Sequence, residues 1–171
     1  MYKLNFNEPI HVHFIGIGGI SMSGLAEILL EKGFTISGSD SKESDLTDIL
    51  TSKGATIFYG QKAENIIPGI QLVVYTAAIH EDNPEFAEAK AQQLPMLSRA
   101  QLLGQIMDNY EKSIAVAGTH GQTTTTSMIS SIFIDANMDP NVQVGSKYEK
   151  LNNSNYRLGN SDYFILEACE Y

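Results

Sequence analysis

Residues 11–33, HVHFIGIGGISMSGLAEILLEKG, restrict what this chain can fold into more than any other stretch. A short apolar run, His11 to Ile15, breaks at closely spaced glycines. Met22, Leu25, Ala26, Leu29 and Leu30 then recur at helical spacing up to Gly33. Strand, tight turn and helix in that order open a strand–helix–strand unit. The alternation continues with a strand at 35–39 and a helix at 44–53 that carries Leu46, Ile49 and Leu50 and stops at Gly54. Further strands are expected at 56–58, at 72–76 and around Met96, with helices at 84–93 and 99–109. Asn83 is placed to cap the first of these helices and Pro84 to be its first residue. Strands alternating with helices imply an α/β fold with a mostly parallel, Rossmann-like sheet.

A second strand–loop–helix unit begins near Ser113, where IAVAGTHGQTTTTSMISSIF repeats the layout with different loop chemistry. This predicts a first domain over residues 1–110 and the beginning of a P-loop-type α/β domain over 111–171. Beyond the second helix, the Asn-, Ser- and Gly-rich stretch from Pro140 to Phe164 reads as loop with one short strand, and YFILE at 163–167 as a final strand. The 171 residues suffice for one full domain and part of another.

Eleven Lys and Arg against twenty Asp and Glu give a net charge of −9, which argues against a basic nucleic-acid grip. An anionic ligand must then be held by local geometry. No apolar run reaches membrane-spanning length and the first ten residues lack the core of a signal peptide, so no membrane insertion is expected and the cytoplasm is the expected location. The single cysteine, Cys169, excludes an internal disulfide framework and reads as an inert thiol.

The first glycine turn, Gly16-Ile17-Gly18-Gly19-Ile20-Ser21, lies directly after a strand and opens a helix. Such a turn lets backbone N–H groups approach a pyrophosphate at the helix N-terminus. Asp40, about twenty positions after Gly18, closes the second strand, where a carboxylate can accept hydrogen bonds from ribose hydroxyls. These features alone also fit NAD, although Ser21 replaces the third glycine of the dinucleotide fingerprint. A tight turn without ligand is the plain alternative. The second loop, Gly118-Thr119-His120-Gly121-Gln122-Thr123-Thr124, forms an anion-binding nest before a helix, with the Thr123 hydroxyl available to Mg²⁺. It departs from a strict P-loop at Val116, where glycine is wanted, and at Gln122, where lysine is wanted. A carboxamide can donate a hydrogen bond but brings no charge. Charge-assisted bonds contribute about 1.5–3 kcal/mol each, so the exchange weakens phosphate binding by roughly tenfold to a hundredfold. A threonine-rich helix start without nucleotide is the alternative here.

Taken together, HFIGIGGISMSGLAEIL, TISGSD, YTAAI, LSRAQLLG, AVAGTHGQTTTT and EACEY resemble, in order and spacing, the Mur ligase family, and its L-alanine-adding branch most closely. The likeness covers essentially the whole chain. It implies a first domain that binds UDP-N-acetylmuramate and a central domain that binds ATP and Mg²⁺; the family's third domain, for the incoming amino acid, is expected to be absent here. The family reaction is ATP-dependent amide formation in peptidoglycan synthesis. The sugar's lactyl carboxylate takes the γ-phosphoryl group, and the amine of L-alanine then displaces phosphate.

Carried over by residue, the resemblance puts Gly16, Gly18, Gly19, Ile20 and Ser21 against the substrate pyrophosphate and Asp40 at the nucleoside. Thr76, Ala77 and Ala78 form a strand-end loop nearby, and Arg99, after Ser98, reaches a phosphate or the sugar. Gly118, Thr119, His120, Gly121, Gln122, Thr123 and Thr124 form the ATP loop, with Gln122 and Thr123 at catalytic positions. Thr123 and Glu167 are the metal ligands. Gln122 at the lysine position implies a chain that binds the UDP-sugar without ligase activity of its own. A non-catalytic nucleotide-sugar module and an NAD-binding regulatory domain are the rival classes. His11 and His13 read as strand-edge residues and, with the distant His80, show no metal-ligand spacing. Met22 and Met128 fall at core spacing. Glu43, Asp45 and Asp48 read as a solvated face.

Overall fold

The structure is a computed structural model that describes residues 2–168. It divides into two compact units between Gln105 and Ile106. The division falls within the helix Arg99–Met107.

In the first unit five parallel strands are ordered β3-β2-β1-β4-β5: β1 His11–Ile15, β2 Thr35–Asp40, β3 Thr56–Tyr59, β4 Leu72–Tyr75 and β5 Met96–Ser98. Helices α1 (Ile20–Glu31), α2 (Asp45–Ser52), α3 (Pro84–Ala91) and α4 (Arg99–Met107) connect or follow them. Parallel strands joined by helices are covered on both faces, so their residues are apolar in succession rather than in alternation. Val12, Phe14, Ile15, Leu72, Val73 and Val74 are all fully buried. Against them α1 packs Met22, Leu25, Ala26 and Leu29, while its buried Glu27 is neutralised by Lys53 at 2.9 Å. The position of β1 at the sheet centre corrects the reading of His13 as a strand-edge residue: its side chain is completely enclosed. Local signals end the elements where the sequence places them. Ser44 and Thr47 form a reciprocal capping box on α2, and the Asn83 carboxamide accepts the N–H groups of Glu85 and Phe86 at the start of α3. Glu43, Asp45 and Asp48 are exposed, as a solvated face requires.

The second unit has the sheet order β6-β9-β7-β8, with β6 Lys112–Val116, β7 Asn141–Tyr148, β8 Ser154–Arg157 and β9 Tyr163–Glu167. Strands β6, β9 and β7 are parallel, and β8 runs antiparallel to β7. Helix α5, Gln122–Asp135, links β6 to β7. The expectation of mostly loop after Pro140 is thereby corrected: β7 and β8 make a hairpin closed through Asn152 and Asn153, both left-handed at φ 56° and 57°. The polar residues that suggested loop hold the connections in place. Asn141 bonds the carbonyls of Ser161 and Tyr163 and the N–H of Gly159, and Asp139 takes the Arg157 guanidinium and the Asn160 N–H. Met128 is also not a core residue. It is 62% exposed, beside Ile132, while the opposite face of α5 buries Thr126 and Ser130, whose hydroxyls bond back to carbonyls one turn earlier. Cys169 lies outside the described residues.

Candidate functional site

Strand order reverses direction at β1: β2 and β3 lie to one side, β4 and β5 to the other. Ligands of open parallel sheets bind beyond the strand ends at such a switch point. Both the glycine turn after β1 and the 76–78 loop after β4 are located there, and a methyl group on Gly16 would lie 4.0 Å from Thr76 Cγ2. The turn itself is tied to β2. The N–H groups of Gly16 and Ile17 both donate to the Ser39 carbonyl at 2.9 Å, and the Gly18 N–H donates to Asp40 Oδ2 at 2.8 Å. Gly18 is obligatory for that approach, because a Cβ would stand 2.7 Å from Asp40 Oδ2. The other Asp40 oxygen accepts the N–H of Ser41 at 2.7 Å.

Gly19 then caps α1 in an extended conformation with no side-chain cap, and the first turn of α1, including Ile20 and Ser21, contains no acidic residue. The positive end of the helix is therefore not neutralised by its own carboxylates. The guanidinium of Arg99, the first residue of α4, reaches Ser21 Oγ at 3.1 Å and brings a full positive charge to the turn. Ala77 and Ala78 are exposed at the end of their strand. At the end of β1 away from the turn, burial lowers the His11 imidazole below its usual range, with the neighbouring His13 adding to the effect.

The second unit builds a different site. Val116 and Glu167 are paired at the ends of β6 and β9, so the loop through Gly118, Thr119 and His120 leaves the sheet beside Glu167. Gly121 enters α5 in the left-handed region at φ 79°, and Gln122 is the first helical residue. Gly118 to Gly121 are exposed, as is Thr124. The Thr123 hydroxyl donates to Glu167 Oε1 at 2.8 Å, which leaves its oxygen lone pairs for another partner. Glu167 Oε2 accepts the Gly145 N–H at 2.6 Å. These oxygen donors suit a hard cation such as Mg²⁺. Among the described residues no three His, Cys, Asp or Glu side chains cluster, so such an ion would complete its shell with phosphate oxygens and water.

The description "Mur ligase family, catalytic domain" matches residues 11–111, more than half the chain. The chain belongs to the Mur ligase family. Among its Mur ligase relatives, UDP-N-acetylmuramate–L-alanine ligase of Agathobacter rectalis is 69% identical over all 171 residues, and that of Lachnospira eligens is 60% identical over the same span. The chain spans about 37% of the length of each. Two solved Mur ligase structures share the fold. UDP-N-acetylmuramate-alanine ligase of Thermotoga maritima has a TM-score of 0.85 at 32% identity, covering 92% of this chain and 36% of its own. The UDP-N-acetylmuramate:L-alanyl-γ-D-glutamyl-meso-diaminopimelate ligase of Neisseria has a TM-score of 0.87 at 30% identity, covering 96% and 54%.

Two residues of these sites escape sequence reasoning. Gly145 is an unremarked glycine in a polar stretch, yet a Cβ there would lie 2.7 Å from Glu167 Oε2. Glu85 reads as an ordinary first-turn acid of α3 and proves to be fully buried beneath the glycine turn.

Proposed function

We propose that these 171 residues bind UDP-N-acetylmuramate through the first unit and contribute part of the ATP and Mg²⁺ site of an L-alanine-adding ligase through the second. The observation that carries the reading is the switch-point turn: the N-terminus of α1, whose first turn contains no acidic residue, and the Arg99 guanidinium on Ser21 meet where a pyrophosphate needs positive potential. Support also comes from the two solved relatives. The groups named for them differ in what is joined and share UDP-N-acetylmuramate, and both match this chain closely in fold. In this reading Gly16, Gly18, Gly19, Ile20 and Ser21 face the pyrophosphate. Asp40 and residues 76–78 border the nucleoside, and the full protein belongs to peptidoglycan synthesis in the cytoplasm.

In the second unit Gly118 to Thr124 would cradle the nucleotide phosphates, and Thr123 and Glu167 would hold Mg²⁺, which supplies charge neutralisation to phosphoryl transfer when bound. Gln122 donates at most a neutral hydrogen bond where the family has an ammonium. These residues by themselves therefore bind the sugar nucleotide without forming the amide. The experiment fuses the chain to the remaining length of the Agathobacter relative, with Gln122 kept or with Gln122→Lys, and measures L-alanine-dependent phosphate release. The lysine form should be at least a hundredfold faster; equal rates would overturn the charge argument.

A further inference from the structure

We propose that Glu85 is a positioning residue for the glycine turn, a buried carboxylate that fixes the backbone on which the pyrophosphate is to sit; this rests on the sugar-nucleotide reading above. Glu85 has no solvent exposure, which is costly for a carboxylate unless its lone pairs are filled. They are filled. Oε2 accepts the Ser39 hydroxyl at 2.5 Å, and Oε1 accepts the Asn65 carboxamide N–H. His13 Nε2 lies 3.6 Å from Oε2, and the residue sits in the first turn of α3, where the helix dipole favours negative charge. Ser37 Oγ joins His13 Nδ1 at 2.9 Å to His11 Nε2 at 2.8 Å, so a second polar cluster beside the carboxylate extends to the amino-terminal end of β1.

Glu85 accepts from both partners, which fixes the orientations of the Ser39 hydroxyl and the Asn65 carboxamide. Each partner then passes that constraint to the turn. Ser39, held at its hydroxyl, presents the carbonyl that receives the N–H groups of both Gly16 and Ile17. Asn65 gives its second N–H to the Gly60 carbonyl at 2.9 Å, and the Gly60 N–H bonds the carbonyl of Asp40 at 2.8 Å. Asp40 in turn accepts from Gly18. One carboxylate thus holds the turn at Gly16–Ile17 and again at Gly18 through two separate chains of hydrogen bonds. An apolar residue of the same volume would fill the space and orient neither.

The test uses Glu85→Gln, which keeps the shape but must present an N–H₂ group to one of two donors. Amide ¹H–¹⁵N spectra of the ligand-free protein are followed at Gly16, Ile17, Gly18 and Gly60, and affinity for UDP-N-acetylmuramate is measured by calorimetry. Leu50→Val serves as a variant destabilised in the core of the same unit. Glu85→Gln is expected to shift those four amides and weaken binding at least tenfold, whereas Leu50→Val moves neither. The double variant Glu85→Gln with Ser39→Ala should lose less than the product of the two single losses, because they act in series. Unmoved turn amides with affinity within twofold of the parent would overturn the proposal. If Glu85→Gln does not fold, Ser39→Ala and Asn65→Ala each interrupt one chain, and the same spectra decide. If the parent chain does not bind the sugar nucleotide, the function reading fails while the ligand-free amides still test the positioning.

Discussion

A methyl group at Gly18 would meet Asp40 Oδ2 at 2.7 Å, its Cγ at 3.0 Å and Thr47 Cγ2 at 3.3 Å. Gly18→Ala must therefore move the turn or the carboxylate, and calorimetry should show at least a tenfold loss of UDP-N-acetylmuramate affinity. At Gly145 the collision is with Glu167, again at 2.7 Å. Gly145→Ala in the Gln122→Lys background should weaken Mg²⁺-dependent nucleotide binding several-fold, read by fluorescence of a labelled nucleotide; unchanged binding would mean that Glu167 is not held for a metal. Tyr110 offers a pH test. Burial pushes its phenol up to about 12, beside Phe164 at 4.9 Å. A folded-state value raised above the unfolded value of about 10 leaves stability intact below pH 10 and removes it as pH rises from 10 towards 12. Chemical denaturation at pH 7 and pH 11 should show a smaller alkaline loss in Tyr110→Phe than in the parent, on the order of 1 kcal/mol after solvent screening. The glycine turn and the place of Asp40 at the end of β2 were legible in the sequence because their spacing follows from the strand–turn–helix they make; that Asp40 turns one oxygen back to the Gly18 N–H was not. Glu85 and Gly145 were not, because what defines them is contact with residues distant in the chain, Ser39 and Glu167.

At the level of elements, the first unit follows its sequence closely. Apolar runs of strand length, a proline at a helix start and serine or asparagine caps each specify one local structure, and all agree. Ser44→Ala removes one side of the α2 capping box and should cost about 1 kcal/mol, seen as a fall in melting temperature of about 2–4 °C with no change in sugar affinity. The second unit was less legible. Its hairpin β7–β8 is rich in Asn, Ser and Gly, and local composition favours loop; Asp139, Asn141 and the left-handed Asn152 and Asn153 instead spend that polarity on tertiary hydrogen bonds and the turn. Helix α5 inverts the usual pattern by burying Thr126 and Ser130 and exposing Met128 and Ile132. Helical spacing alone cannot tell which face meets the sheet.

On the scale of the whole molecule, two sheet units with different loop chemistry follow one another along the chain, each placing its loop at the carboxyl ends of parallel strands. The first carries the N-terminus of α1 and Arg99. The second carries an exposed glycine loop that enters α5 at Gln122, and the Thr123–Glu167 pair. Under the proposed function, sugar-nucleotide binding and phosphoryl chemistry would fall to different loops, and the loss of one would leave the other. The most direct measurement is calorimetric titration of the 171-residue chain with UDP-N-acetylmuramate, UDP and NADH. Saturable heat is expected with UDP-N-acetylmuramate, and weaker binding of UDP alone; no heat with the sugar nucleotide, or tight NADH binding without any response to it, would contradict the proposed sugar-nucleotide site.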